Sequence, residues 1–183
     1  MNSIIIKLIT EMPLYLPGDK VTIIYSKHLK PVNIKFYSSE NETDYMGYIE
    51  GCYFDKEDVF NNYEASQIEF KNQGETYTEL LDSVDENYEK MGKIIFYINY
   101  FEIFDRFKNL GIGSVILKTI NQVFEHNLNL KLDNVVLIPD PFKEDNAELI
   151  NLYLGKLKGF YHRAGFRHLT DEFNYLFLIK NYE

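Results

Sequence analysis

Residues 97–126 read YINYFEIFDRFKNLGIGSVILKTINQVFEH, and within them residues 108–114 read KNLGIGS. Residues 97–104 form an almost unbroken aromatic and β-branched run, the composition of a strand. From about Gly111 the pattern changes to helical spacing, with Ile112, Val115, Ile116, Ile120, Val123 and Phe124 on one broad face. Between the two stand Lys108 and a pair of glycines, Gly111 and Gly113. Glycine in a helix's first turn weakens it by roughly 1 kcal/mol against alanine, so the pair needs a reason. The first N–H groups of a helix lack internal partners, and the macrodipole adds positive partial charge there. A strand turning directly into such a helix therefore presents an anion site. Glycine at 111 and 113 would keep side chains away from a phosphate, and Lys108 would add a mobile positive charge. A tight turn with nothing bound would use the same residues. The loop is neither a Walker A loop, since GxxxxGK[ST] is absent, nor a dinucleotide fingerprint, since Ile116 stands where GxGxxG has its third glycine.

The flanking chain places this unit inside an α/β or α+β protein. The apolar run in MNSIIIKLITEMP reads as a first strand, VTIIYS and VNIKFYSS read as strands, ENETD as a polar turn, and YMGYIEGCYF as the hairpin partner of VNIKFYSS. Residues 61–91 are rich in Glu, Asp, Asn and Lys, and Leu80, Leu81, Val84 and Tyr88 mark an amphipathic helix. KIIFYINYFEIF and NVVLIPDPF have the apolar continuity of strands buried on both faces. NAELINLYLGKLKGFYHRAGF is a helix stopped by Gly165, and FNYLFLIKN closes the chain as a strand. The expectation is a central sheet with helices on both sides.

The 183 residues carry no repeat and no Pro-, Gly- or Ser-rich linker, so a single domain spanning 1–183 is expected. A formal net charge of -9 argues against a nucleic-acid binder and suits a cationic or amine partner. The one cysteine, Cys52, cannot form an internal disulfide, which points to a reducing, cytoplasmic setting. The N-terminal apolar run is short and broken by Lys7, unlike a leader or membrane span, so no membrane partner is expected.

FKNLGIGS resembles the acetyl-coenzyme A loop of the GNAT N-acetyltransferase superfamily: Arg or Gln, two residues, Gly, any residue, then Gly or Ala. Lys108 stands at the Arg/Gln position, which keeps the charge and loses the planar fork. Asp105 replaces the proline usual before the loop, a second departure. FYHRAGFRHL is similar to the family's FYxxxGF element, with Tyr161, Gly165 and Phe166 aligned to it. The resemblance covers about Lys93 onward, roughly half the chain, and weakens before that.

The resemblance implies a GNAT-like mixed, mostly antiparallel sheet of about six to seven strands with helices on both faces and splayed fourth and fifth strands. Pro139 and Pro141, which lack a backbone N–H, offer a physical reason for strand pairing to fail there. It further implies acetyl-CoA as co-substrate, an amine acceptor and no metal. The cofactor would be held at Ile103, Phe104, Lys108, Asn109, Leu110, Gly111, Ile112, Gly113 and Ser114, with Ile103 backbone groups on pantetheine and the amides of residues 110–114 on pyrophosphate. Tyr161 matches the tyrosine that protonates the departing thiolate; the alternative is a core tyrosine beside Phe160 and Phe166. Glu102 is a candidate general base, since a carboxylate in an apolar run gains from taking up a proton; the alternative is a solvent-facing or Arg106-paired Glu. His28, His126, His162 and His168 lack metal-ligand spacing, Cys52 reads as core, and no GxSxG elbow exists. The acidic stretch Glu79 to Glu89 reads as a solvated face; the alternative is a substrate-facing lid. An enzyme acting by direct attack, as monomer or homodimer, is expected; the alternative is a non-catalytic acyl-CoA-binding sensor of the same fold.

Overall fold

The protein was studied as a computed structural model, which describes residues 4–9, 27–38, 44–139, 147–168 and 178–182. Its strands are β1 (Ile4–Ile9), β2 (Lys30–Ser38), β3 (Tyr45–Asp55), β4 (Ile94–Ile103), β5 (Asn134–Leu137), β6 (Arg167–His168) and β7 (Leu178–Asn181). They form one seven-stranded sheet in the order β1-β2-β3-β4-β5-β7-β6. The pair β4–β5 is parallel and every other pair is antiparallel. The mixed, mostly antiparallel sheet is thus the one expected.

Helices α1 (Lys56–Asn61), α2 (Tyr63–Gln73) and α3 (Glu75–Glu86) connect β3 to β4. The sequence suggests helix only from residue 61, but α1 starts earlier because the Asp55 carboxylate caps it, accepting from the Glu57 and Asp58 amides. Gly74, at φ 122, separates α2 from α3, and Tyr88 falls in a short 3-10 turn beyond α3. Helix α4 (Ile112–Leu128) connects β4 to β5, and α5 (Ala147–Arg163) follows β5. Gly165, at φ 96, ends α5, with the Phe166 amide returning to the Tyr161 carbonyl at 3.1 Å.

Each sheet face has its own core. On one side Val32, Ile34, Phe36, Ile49, Phe96 and Ile98 meet α4 and α5. On the other, Cys52, Phe54, Ile95 and Tyr97 meet Val59, Phe70, Leu80, Leu81 and Val84 of α1–α3. Along α4 the buried stripe includes Leu117, whereas Val115 is 44% exposed, a one-residue rotation of the expected face.

Strand β4 departs from the continuous two-sided burial expected of it. Residues Ile95 to Ile98 are buried, Asn99 is exposed, and residues 100–103 are half-buried. Two local causes are visible. The register with β3 shifts between Glu50 and Gly51, so that Glu50 faces Tyr100 and Gly51 faces Ile98, leaving Asn99 as a bulge. In addition, β5 accompanies β4 only from Ile95↔Asn134 to Ile98↔Leu137. Where both strands begin they are pinned: the Ile94 amide donates to the Asp133 carboxylate at 2.7 Å, and Gly92 N–H to Asn134 Oδ1 at 2.7 Å. Beyond Leu137 the chain reaches Ile138 and Pro139 while β4 runs on, so the two strands part at their C-terminal ends. Pro141, the segment at 21–26 and residues 40–43 of the polar turn lie outside the described residues, as do residues 173–177 of the closing strand.

Candidate active site

The parted end of β4 leads straight into the glycine loop. Phe104 N–H still bonds the Met46 carbonyl at 3.0 Å, after which residues 105–107 make a 3-10 turn. Asn109, at φ 62, and Gly111, at φ 80, are left-handed and turn the chain into α4. No side chain caps this helix, and Val115 N–H to the Gly111 carbonyl is its first backbone bond, at 3.1 Å. The amides of Ile112, Gly113 and Ser114 precede that bond and are the orphan donors of the helix end. Lys108, Asn109, Leu110 and Gly111 are exposed around them.

The two glycines do different things. A Cβ on Gly111 would meet nothing within 4 Å; glycine is demanded there by the positive φ, and the space above it is open. Gly113 is buried, and a Cβ would lie 3.1 Å from Phe160 Cζ and 3.4 Å from Phe101 Cζ. Its missing side chain makes room for two rings that join β4 to α5 across α4. Gly113→Leu should accordingly lower unfolding stability by about 1–3 kcal/mol through overpacking, measured by urea denaturation.

Lys108 is not a lone charge: its Nζ lies 2.5 Å from Asp105 Oδ1. Asp105 thus offsets part of the loop's positive potential. Arg106 pairs with Asp44 at 3.3 Å, not with Glu102.

Ile103 packs into the α4–α5 core, while Phe104 lies on the opposite face, edge-on to Tyr45 at 5.0 Å. Tyr161 also belongs to the α4–α5 core, at 7% exposure, with T-shaped contacts to Phe160 (5.1 Å) and Phe166 (5.7 Å). Burial alone pushes its phenol well above the ordinary tyrosine range. Glu102, half-buried, faces Tyr48 across the β3–β4 pair, on the α1–α3 side. The two candidate acid–base residues therefore sit on opposite faces of the sheet, and β4 where it leaves β5 lies between them.

That α1–α3 face carries residues the sequence did not single out. Tyr48 stacks on Tyr100 (5.4 Å, 17°) and lies near Tyr45 (6.4 Å). Tyr37 meets Tyr45 at 5.4 Å. Burial, then the charges of Tyr37, Glu50 and Glu102, push the Tyr45 phenol up to about 12. The period-2 alternation of Tyr48, Glu50 and Cys52 was the available signal; the bulge at Asn99, which brings Tyr100 beside Glu50, was not readable. Cys52 is buried, its thiol pushed up by burial, as a core cysteine should be. His28 is buried against Asp58 at 2.7 Å, and His162 and His168 are exposed with rings 5.3 Å apart. Among the described residues no group of three His, Cys, Asp or Glu is placed to hold a metal ion, and no helix is long and apolar enough to cross a membrane.

No protein-family model and no curated protein matches the chain. Solved structures do. The chain is similar to Arabidopsis thaliana NAA60 in complex with acetyl-CoA (9% identity, 81% of this chain, 76% of that one, TM-score 0.45). It is also similar to arylalkylamine N-acetyltransferase 2 from Aedes aegypti (11%, 81%, 72%, 0.46) and to AtaT complexed with acetyl-methionyl-tRNAfMet (15%, 85%, 72%, 0.42). At such scores the weight rests on the chain's own features: the sheet order, the single parallel pair that parts at its C-terminal end, and the glycine loop beside it. Of these, the mixed, mostly antiparallel sheet and the parting of its fourth and fifth strands are what the GNAT resemblance implied.

Proposed function

We propose that the protein is a GNAT-type N-acetyltransferase that moves an acetyl group from acetyl-CoA to a primary amine by direct attack. The observation that carries it is the coincidence of two openings: β4 leaves β5 after Ile98 and runs on to Ile103, and the loop beyond it ends at Gly111 on the uncapped N-terminus of α4. The amides of residues 110–114 and Lys108 suit a pyrophosphate. The backbone of Ile103 and its β4 neighbours suits an extended amide-bearing arm such as pantetheine, by strand addition at an edge. Bound acetyl-CoA supplies an activated thioester.

Glu102 takes the proton that the attacking amine loses as the C–N bond forms. Tyr161 gives its proton to the thiolate released when the C–S bond breaks. Their positions on opposite faces let amine and thioester approach β4 from different sides. The raised affinity of Tyr161 for its proton keeps it a donor at neutral pH. The single domain, a cytoplasmic setting and a monomeric or homodimeric state belong to the same proposal. Tyr161's enclosure among phenylalanines favours, as the second reading, an acyl-CoA sensor of the same fold without turnover.

Thermal shift tests the cofactor class. Acetyl-CoA at about 100 times its Kd should add about 2.7 kcal/mol by linkage and raise Tm by several degrees. NAD and ATP, lacking the pantetheine arm, should do much less. A larger shift with NAD would sink the assignment. Thiol release over an amine panel then separates enzyme from sensor.

A further inference from the structure

The glycine loop follows the C-terminal end of β4; a cleft of about 280 Å³ lies at the other end. Asn87, Lys90 and Met91, in and around the turn after α3, line one wall of it. Arg167, His168, Ile179 and Asn181, from β6 and β7, line the other. The length of β4 separates this cleft from the glycine loop, about 30 Å at roughly 3.3 Å per residue. Arg167 pairs with Ile179, which packs into the α1–α3 core, so Arg167 leaves β6 on that side of the sheet.

The polar atoms of both walls are oriented by bonds made outside the cleft. Gly92 N–H donates to Asn134 Oδ1 at 2.7 Å, and Asn134 Nδ2 donates to Asn181 Oδ1 at 2.8 Å. That relay leaves Asn181 Nδ2 as a donor for a ligand. Asn87 Nδ2 donates to the Ser83 carbonyl at 2.9 Å, which leaves its Oδ1 as an acceptor. Behind the turn Lys56, 7% exposed, donates to the Tyr88 and Met91 carbonyls at 2.6 Å each and lies 3.9 Å from the Tyr88 ring centre. It takes up two backbone acceptors of this wall and sets a buried positive charge behind it. Among the described residues no carboxylate pairs with Lys56, Lys90 or Arg167. The carboxylates nearby in the chain are placed elsewhere. Asp55 and Glu57 hold Lys93, and Asp133 accepts the Ile94 amide. Asp82, Asp85, Glu86 and Glu89 are exposed and line no part of the cleft. Of the acidic stretch read as solvated only Glu79 is half-buried, and it too lies outside the lining.

A concave site lined by Lys, Arg, His and an amide N–H, with no described carboxylate in its walls, selects an anion even in a chain of net charge -9. A guanidinium fork and an ammonium together match two negative charges better than one. Met91 and Ile179 offer apolar surface to a short carbon skeleton, and Asn87 Oδ1 accepts from a hydroxyl or amine on it. The volume is at the small end for ligand pockets and suits a compact molecule.

We propose that this cleft binds a compact dianion, a phosphomonoester or a short dicarboxylate, at a site separate from that of acetyl-CoA. The assignment is independent of the acetyltransferase reading. A ligand held here would bridge the end of the α1–α3 layer and the sheet edge, and would stabilise the folded chain by linkage.

Calorimetric titration of the full chain with inorganic phosphate, succinate and acetate, at one ionic strength set with sodium chloride, tests it. Phosphate or succinate should bind roughly tenfold or more tightly than acetate, since a second charge-assisted contact is made. The tighter of the two names the source, phosphate ester or dicarboxylate. Arg167→Gln should weaken that binding by roughly tenfold and leave acetyl-CoA affinity unchanged. Lys71→Gln removes an exposed cation of α2 outside the cleft and should change neither. Should Arg167→Gln fail to fold, Lys90→Gln is the second variant, with the same loss expected. Saturating acetyl-CoA should leave the anion bound. No binding of any probe, equal affinity for all three, or equal losses in Arg167→Gln and Lys71→Gln would overturn the proposal. So would displacement of the anion by acetyl-CoA, which would place it at the glycine loop.

Discussion

Tyr161→Phe is expected to lower turnover by roughly 10- to 1000-fold, toward the lower value if water replaces the phenol as donor. The substitution removes one oxygen from a side chain packed between Phe160 and Phe166 and leaves both ring contacts possible. Folding stability and acetyl-CoA affinity should therefore stay close to the parent's. Because burial raises the Tyr161 pKa, the donor remains protonated through the neutral and mildly alkaline range. No loss of activity from its ionisation is expected there. The measurement is kcat at saturating acetyl-CoA with a verified acceptor, under conditions where chemistry limits the rate. A rate within twofold of the parent would demote Tyr161 to a packing residue of the α4–α5 core.

Gly111→Glu is expected to weaken acetyl-CoA binding by well over tenfold, more than about 1.4 kcal/mol. The site above Gly111 is open, so the new carboxylate has room to stand where the pyrophosphate would lie, adding charge repulsion to obstruction. Part of any effect must come from the backbone. At φ 80 a side chain costs roughly 1–2 kcal/mol of left-handed strain. Gly111→Asn separates the two causes, since asparagine tolerates that conformation and carries no charge. Calorimetry should find the asparagine variant within a few-fold of the parent and the glutamate variant far weaker. Unchanged affinity in a folded glutamate variant would remove the anion-loop assignment.

What the sequence determined by itself are the features whose cause is local. Gly111, Asn109 and the uncapped start of α4 follow from residues within one turn of each other, because left-handed backbone and an empty Cβ position are local demands. The stop at Gly165, the helical character of α4 and the strand character of residues 94–103 have the same origin: glycine conformation and hydrophobic period are written into consecutive residues. Tertiary structure decided what depends on neighbours distant in the chain. The rings of Phe101 and Phe160, which close on Gly113 from β4 and α5, are one example. The apolar run of β4 could not show that β5 leaves after Leu137, nor that Asn99 bulges, since both depend on strands registered against it. Tyr161 and Glu102 could be matched to a pattern, but only the sheet set them on opposite faces. Asn33, Glu50 and Tyr100 lie far apart in sequence and form one row because β2, β3 and β4 pair in that register. Side-chain alternation along a strand has a period of two, so a one-residue shift in pairing would have turned that row to the other face.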